Sequence, residues 1–292
     1  MKYLLTTATL LLMMGCTPTE PTMQKPSASQ SERGVKREAL ILGVSNYQGV
    51  KYDLDGVTLD VATMQSLFRE WGFHVTTIPE GESLNLEKYL QEYANLRKND
   101  KFIFYYTGHG YHLPDTNGDE VDGEDEVMVL SDGQTNKAFL DDTLNGYLNK
   151  IDARKMVMFD SCYSGTAFRA FGNQPKPKSL NSELTQLLER VKSRIFKATE
   201  AQMMRGEYVV FSAAQDNEQS LDTKNGGMFT TSFYQQIRSN NGINARMMNL
   251  KRDISNEIAK KCQPTGSTPH HPKLSASSKE LTYSSLKEYL EL

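Results

Sequence analysis

Cysteine is scarce in this chain: Cys16, Cys162 and Cys262 are the only three in 292 residues. That excludes the disulfide framework of small secreted domains, so each thiol needs its own explanation. A basic excess is also missing. The chain sets 33 Lys and Arg against 36 Asp and Glu, for a formal charge of -3, and so lacks the electrostatic footprint of a general nucleic-acid binder. No apolar run approaches the roughly 20 residues that a bilayer-spanning helix needs. Neither G-x-G-x-x-G nor G-x-x-x-x-G-K-[ST] follows the first strand-like segment, which leaves no nucleotide-binding fingerprint. What remains is an ordinary globular composition, 38% hydrophobic and 24% charged. It suffices for one large α/β domain or two small ones.

The N-terminus accounts for the first cysteine. Met1-Lys2 precedes an apolar stretch, residues 3–14, that ends in Met13-Met14-Gly15-Cys16. Its length suits a signal-peptide core rather than a span. The stretch resembles a bacterial lipoprotein signal over residues 1–15, with Cys16 as the residue that is lipidated. From Cys16 to Arg33 the chain is rich in Thr, Pro, Ser and Gln without apolar periodicity, so 16–36 reads as a flexible tether. The folded part is then 37–292, held at a membrane by an anchor. The sorting rule that goes with this resemblance places the anchor at the periplasmic face of the outer membrane, because Thr17 rather than Asp follows Cys16.

Strand and helix patterns alternate through the folded part. Ala39–Val44, Phe73–Ile78, Lys101–Tyr106, Lys155–Phe159 and Glu207–Ser212 read as strands, and Val127–Leu130 as a short one. Residues 57–70, 84–96, 141–148, 228–238 and 246–261 read as helices, and Gly72 stops the first of them. A charged insert at about 170–206 is expected to carry a helix over 183–204. The alternation predicts a three-layer α/β fold, a mostly parallel sheet with helices on both faces.

Two glycine-bounded motifs sit at predicted strand ends, where open α/β sheets gather their sites. Thr107-Gly-His-Gly110 follows one strand and Asp160-Ser-Cys-Tyr-Ser-Gly165 another, with Cys162 lying 53 residues after His109. A thiol attacks carbonyls as thiolate, and an imidazole takes its proton and later protonates the leaving amine. Backbone N–H groups at such turns stabilise a tetrahedral oxyanion. Taken singly, each residue also suits a buried structural cysteine or an incidental loop histidine.

Together, Tyr106-Thr-Gly-His-Gly110 and Asp160-Ser-Cys-Tyr-Ser-Gly165 resemble the His and Cys boxes of caspase-like cysteine peptidases (peptidase C14), and bacterial metacaspases most closely. Ala39–Tyr47, Leu54–Asp60, Phe211–Ala214, Gly226–Thr230 and Thr268–Ser275 resemble further family segments in order. The resemblance implies the caspase-haemoglobinase fold, with a six-stranded sheet. It implies Cys162 as nucleophile, His109 as general base and acid, and the backbone N–H groups of Gly110 and Cys162 as the oxyanion hole. Asp60 and Asp160 match the acidic S1 pocket, which holds Arg or Lys at P1 through charge-assisted bonds. The partners so implied are protein or peptide substrates with basic P1 residues and a lipid membrane, not nucleic acid, and the state implied is a monomer. A tethered, catalytically silent scaffold is the competing reading.

No cofactor is required by this chemistry. Calcium activation is the open question, because family calcium ligands match Asp125, Asp141 and Asp142 while a further ligand position falls near Arg169. The acidic stretch 115–126 equally suits a solvated rim that attracts basic substrates. It is not an EF-hand, since Glu120 stands where the loop needs Gly. His109/His112 and His270-His271 lack further ligands at zinc spacing. Cys262 and Trp71 read as packing residues.

Overall fold

The structure, a computed structural model, describes residues 33–114, 124–161, 176–177, 188–190, 204–215, 218–239 and 242–292. The folded body runs from Val35 to Leu292. Its strands are β1 (Arg37–Gly43), β2 (His74–Thr77), β3 (Lys101–Thr107), β4 (Gly110–Pro114), β5 (Glu124–Ser131), β6 (Asn136–Leu140), β7 (Arg154–Asp160), β8 (Lys176–Pro177), β9 (Leu188–Arg190), β10 (Tyr208–Ser212), β11 (Leu221–Asp222) and β12 (Lys273–Ala276). The helices are α1 (Val57–Glu70), α2 (Leu86–Gln91), α3 (Asp141–Leu148), α4 (Met228–Arg238), α5 (Met247–Cys262) and α6 (Leu286–Leu290).

Strand apolarity explains the layering. In β1 the side chains of Ala39 and Ile41 join one core cluster and those of Leu40 and Leu42 another, because successive residues point to opposite faces. The same split places Ile103 and Tyr105 of β3 on one side, with Phe102, Phe104 and Tyr106 on the other. A strand covered on both faces must be apolar throughout, which is why these segments read as continuous runs. The first cluster is completed by Met64, Leu67 and Phe68 of α1 with α4 and α5, and the second by residues of α2, α3 and β5.

The six-stranded sheet runs β12–β10–β7–β3–β1–β2. Neighbours are parallel except β12, which pairs antiparallel with β10. The chain leaves β1 outward to β2 and returns to β3 on the opposite side of β1, so β1 and β3 flank a topological switch point. Loops leaving their carboxyl ends diverge and open a crevice there. A second sheet, β4–β5–β6–β9, folds from the segment after His109. The sequence pattern foretells only β5 of it, as the short strand Val127–Leu130, because β4 and β6 are short and β4 begins on a glycine.

Most expected elements are present. The helix expected over 84–96 is α-helical only at Leu86–Gln91, preceded by a 3₁₀ turn at Ser83–Asn85. Within the insert expected to be helical over 183–204, Leu188–Arg190 is instead a strand paired with β6, and residues 183–187 and 191–203 lie outside the described residues. No helix among the described residues is long and apolar enough to cross a membrane.

Candidate active site

His109 follows β3 and is buried, with 3% of its surface exposed. Two tyrosines grip its backbone. Its N–H donates to the Tyr47 hydroxyl at 2.8 Å, and its carbonyl accepts from the Tyr106 hydroxyl at 2.6 Å. The Tyr47 ring packs against the imidazole with centroids 4.6 Å apart. Burial pushes the Tyr47 hydroxyl well above its ordinary pKa, so it stays a neutral phenol. Nε2 of His109 lies 2.7 Å from the carbonyl oxygen of Tyr52. A carbonyl only accepts, so Nε2 carries the hydrogen and Nδ1 is the basic nitrogen of the neutral ring.

Both contacts come from the loop after β1. Leu54 N–H donates to the Ser45 carbonyl at 2.9 Å, closing the loop. Asp53 accepts from the Tyr47 N–H at 2.9 Å, which sets Tyr47 relative to Tyr52.

Asp60 and Asp160 are 1% and 0% exposed. Asp60, in the first turn of α1, accepts from the Thr107 hydroxyl at 3.0 Å and from the Gly227 N–H at 2.7 Å. Asp160, at the end of β7, accepts from the Ser220 hydroxyl at 2.8 Å, the Thr230 hydroxyl at 2.6 Å and the Thr230 N–H at 3.1 Å. Gly227 and Thr230 form the N-terminus of α4, where N–H groups lack intrahelical partners and the dipole favours negative charge. A third buried carboxylate, Asp222, accepts from the Gly56 N–H at 3.0 Å just before α1. Tyr105 lies beneath the pair with its hydroxyl 2.6 Å from that of Thr230. Its pKa is raised well above the ordinary value by burial, with Asp60 and Asp160 adding to the effect.

Pairing of β3 with β7 sets Thr107 opposite Asp160. His109 stands two residues past the first position and Cys162 two past the second in sequence. Cys162 itself lies outside the described residues, as do Cys16 and Arg169; Ser161, which precedes Cys162, is buried. Gly110 opens β4 opposite Met128.

Asp141 and Asp142 begin α3, and Asp125 lies in β5 with its side chain outside the described residues. Asp141, Glu126 and Lys273 line one cavity of about 250 Å³ between α3, β5, β10 and β12. Among the described residues no group of three or more His, Cys, Asp or Glu is placed to hold a metal. Lys273 shares this cavity with the carboxylates, and the Asp125 side chain and Arg169 lie outside the described residues. His270 and His271 serve the loop after β10: His270 Nδ1 lies 2.7 Å from the Ala213 carbonyl, and His271 pairs with Glu218 at 2.6 Å. Cys262 is buried against Met228, with the sulfurs 3.5 Å apart, and burial raises its thiol pKa.

Sequence reasoning found His109, Asp60 and Asp160 but missed Thr107, Ser220, Thr230, Asp222 and the Tyr52 carbonyl. Thr107 and Thr230 lie in matched segments that assign them no role, Ser220 and Asp222 lie outside any motif, and the last is backbone. Tyr47 and Tyr106 were part of matched segments but carried no role.

The profile of the caspase domain, peptidase C14, matches residues 36–275. The chain belongs to the caspase domain family. Among its caspase-family relatives, metacaspase-3 of Arabidopsis thaliana is 30% identical over 226 residues, covering 70% of this chain and 60% of that protein. Metacaspase-1 of Schizosaccharomyces pombe is 32% identical over 149 residues, 45% of this chain and 35% of that protein. The chain thus spans 60% or less of these two relatives' length. The fold of this chain is similar to that of protein GSU0716 from Geobacter sulfurreducens, with a TM-score of 0.64 at 23% identity over 85% of this chain and 97% of that one. Caspase-1 from Spodoptera frugiperda aligns with a TM-score of 0.53 at 14% identity, covering 82% and 86% of the two chains.

Proposed function

We propose that the protein is a cysteine endopeptidase that cleaves after Arg or Lys through Cys162 and His109. The observation that carries this reading is the bond from His109 Nε2–H to the Tyr52 carbonyl, which leaves Nδ1 as the base. Nδ1 takes the Cys162 thiol proton, and the thiolate attacks the scissile carbonyl carbon. The tetrahedral oxyanion is held by the N–H groups of Gly110 and Cys162. The imidazolium then protonates the leaving amine, and the acyl-thioester is released by a water whose proton passes to Nδ1. The basic P1 preference is supported by Asp60, Asp160 and Asp222, three carboxylates buried beneath the strand ends, whose summed field favours a cation in the crevice. We also place the chain at the cell envelope, anchored through a lipid on Cys16.

The test is hydrolysis of fluorogenic peptides with Arg, Lys or Asp at P1 by the full chain, against Cys162→Ala and with calcium or chelator. Cleavage after Arg and Lys is expected to fall at least a thousand-fold in the variant, an order of magnitude typical of losing the nucleophile. Cleavage after Asp would overturn the roles of the acidic residues. No cleavage by folded protein would favour the scaffold. In the same preparations, Cys16→Ala is expected to leave the membrane fraction; continued membrane retention would sink the anchor.

A further inference from the structure

Around His109 the hydroxyls of Tyr47 and Tyr106 form a closed circuit. The His109 N–H donates to Tyr47 Oη at 2.8 Å, Tyr47 is hydrogen-bonded to Tyr106, and Tyr106 Oη donates to the His109 carbonyl at 2.6 Å. Each hydroxyl has one proton: Tyr47 O–H goes to Tyr106, and Tyr106 O–H is shared between the His109 carbonyl at 2.6 Å and the Val129 carbonyl at 3.1 Å. The Tyr47 hydroxyl is thereby set by the His109 N–H and Tyr106, and the Tyr106 hydroxyl by the carbonyls of His109 and Val129. Hydrogen bonds in such chains polarise one another in a low-dielectric interior.

Three further observations tie the circuit to the imidazole. The Tyr47 ring contacts the His109 ring at 4.6 Å. Gly108 lies where the two hydroxyls meet: a Cβ there would stand 2.6 Å from Tyr106 Oη and 2.8 Å from Tyr47 Oη. The Tyr47 N–H is itself held by Asp53, one residue from the Tyr52 carbonyl that receives Nε2–H. Tyr47 therefore touches His109 at backbone and ring, and is braced by the loop that sets the tautomer.

We infer that Tyr47 is a positioning residue of the general base, acting with Tyr106 through the hydroxyl circuit to hold the His109 ring in its working orientation. This rests on His109 being the base. A buried phenol suits the task because it stays neutral: it fixes the ring without adding a charge that would compete for the imidazolium. A tilted aromatic face also tolerates the positive charge the ring gains during turnover.

The experiment is steady-state kinetics over pH for Tyr47→Phe, Tyr106→Phe and the double variant in the full chain, with His109→Ala as reference and thermal melts of each. Tyr47→Phe keeps the ring and loses only the hydroxyl. It is expected to lower kcat about ten- to thirty-fold with KM within two-fold, and to displace the acidic limb of the kcat/KM profile, on the scale of one well-placed hydrogen bond. The double variant is expected to lose no more than the worse single one, since both break one circuit. If the single variants unfold, the Cys162→Ala protein, which keeps both tyrosines, is expected to show a slowly exchanging Tyr47 hydroxyl proton by NMR; its absence overturns the circuit. A folded Tyr47→Phe with wild-type kcat and an unmoved limb overturns the inference, whatever its melting temperature. If His109→Ala keeps full activity, the reading of the base itself falls, and the two failures are told apart.

Discussion

At the residue scale, Gly108 shows how a motif can be legible while its reason is not. In sequence, Gly108 and Gly110 read as turn residues beside the histidine. In the fold, Gly108 is the gap through which two tyrosine hydroxyls approach the His109 backbone. Both contacts are to rigid aromatic side chains packed in the core, so a methyl group cannot be relieved by rotating a flexible chain end. Gly108→Ala is therefore expected to destabilise the fold by about 1–3 kcal/mol, the range for an overpacked core. It is also expected to cut peptide hydrolysis at least ten-fold even where the protein stays folded. Denaturant melts and kinetics on one preparation check this, and a fully active, equally stable variant would refute it.

At the element scale, α4 lacks a side-chain cap from its own N-cap residue, Gly227. Its first-turn donors are met by Asp60, 167 positions away, and by Asp160, 70 positions away. The pair of acids expected to line a specificity pocket thus also terminates a helix and ties β3, β7 and α1 together. Gly226 takes part through its backbone: its φ of +103 suits glycine, and a Cβ there would approach Asp60 to 2.7 Å. Thr230 is the joint, because it donates to Asp160 from both nitrogen and hydroxyl while its hydroxyl accepts from Tyr105. Thr230→Val keeps the shape but removes the hydroxyl contact to Tyr105 and a charged hydrogen bond to Asp160. A loss of about 2–3 kcal/mol is expected, with Thr230→Ser recovering most of it. Urea unfolding of the two variants would show it, and equal stability would refute the role.

At the scale of the whole molecule, charge is arranged at opposite ends of the sheet. Asp60, Asp160 and Asp222 gather beneath the carboxyl ends, while the buried Lys101 and Lys155 sit at the amino ends beside the buried Asp100. Lys101, with 1% of its side chain exposed, pairs with Glu291 at 3.0 Å, and Arg154 reaches both Glu291 and Glu207. Lys155 donates to the Ile151 and Ala153 carbonyls, and burial lowers its pKa. The hydrogen bond from Lys101, aided by Arg154, holds the Glu291 carboxyl below its ordinary 4.5. A carboxyl lowered in the folded state contributes stability above its unfolded pKa and loses it as pH falls through the folded value. Glu291→Gln is expected to cost about 1–2 kcal/mol at pH 7, a modest figure because the carboxylate is half exposed. The difference from wild type should shrink below about pH 4. Melts across pH would check the sign; a gap that widens in acid would refute it.

The sequence by itself determined the alternation of strands and helices, the two boxes at strand ends and the family. Burial on both faces writes itself as an unbroken apolar run, and glycine-flanked histidine and cysteine leave a local pattern. Tertiary structure decided what those residues touch. The Tyr52 carbonyl at Nε2, the two hydroxyls about His109 and the small donors around Asp60 and Asp160 are brought together from the loop after β1, from β3, from the segment before β11 and from α4. Such contacts depend on strand order and register, which place distant positions side by side without marking either one.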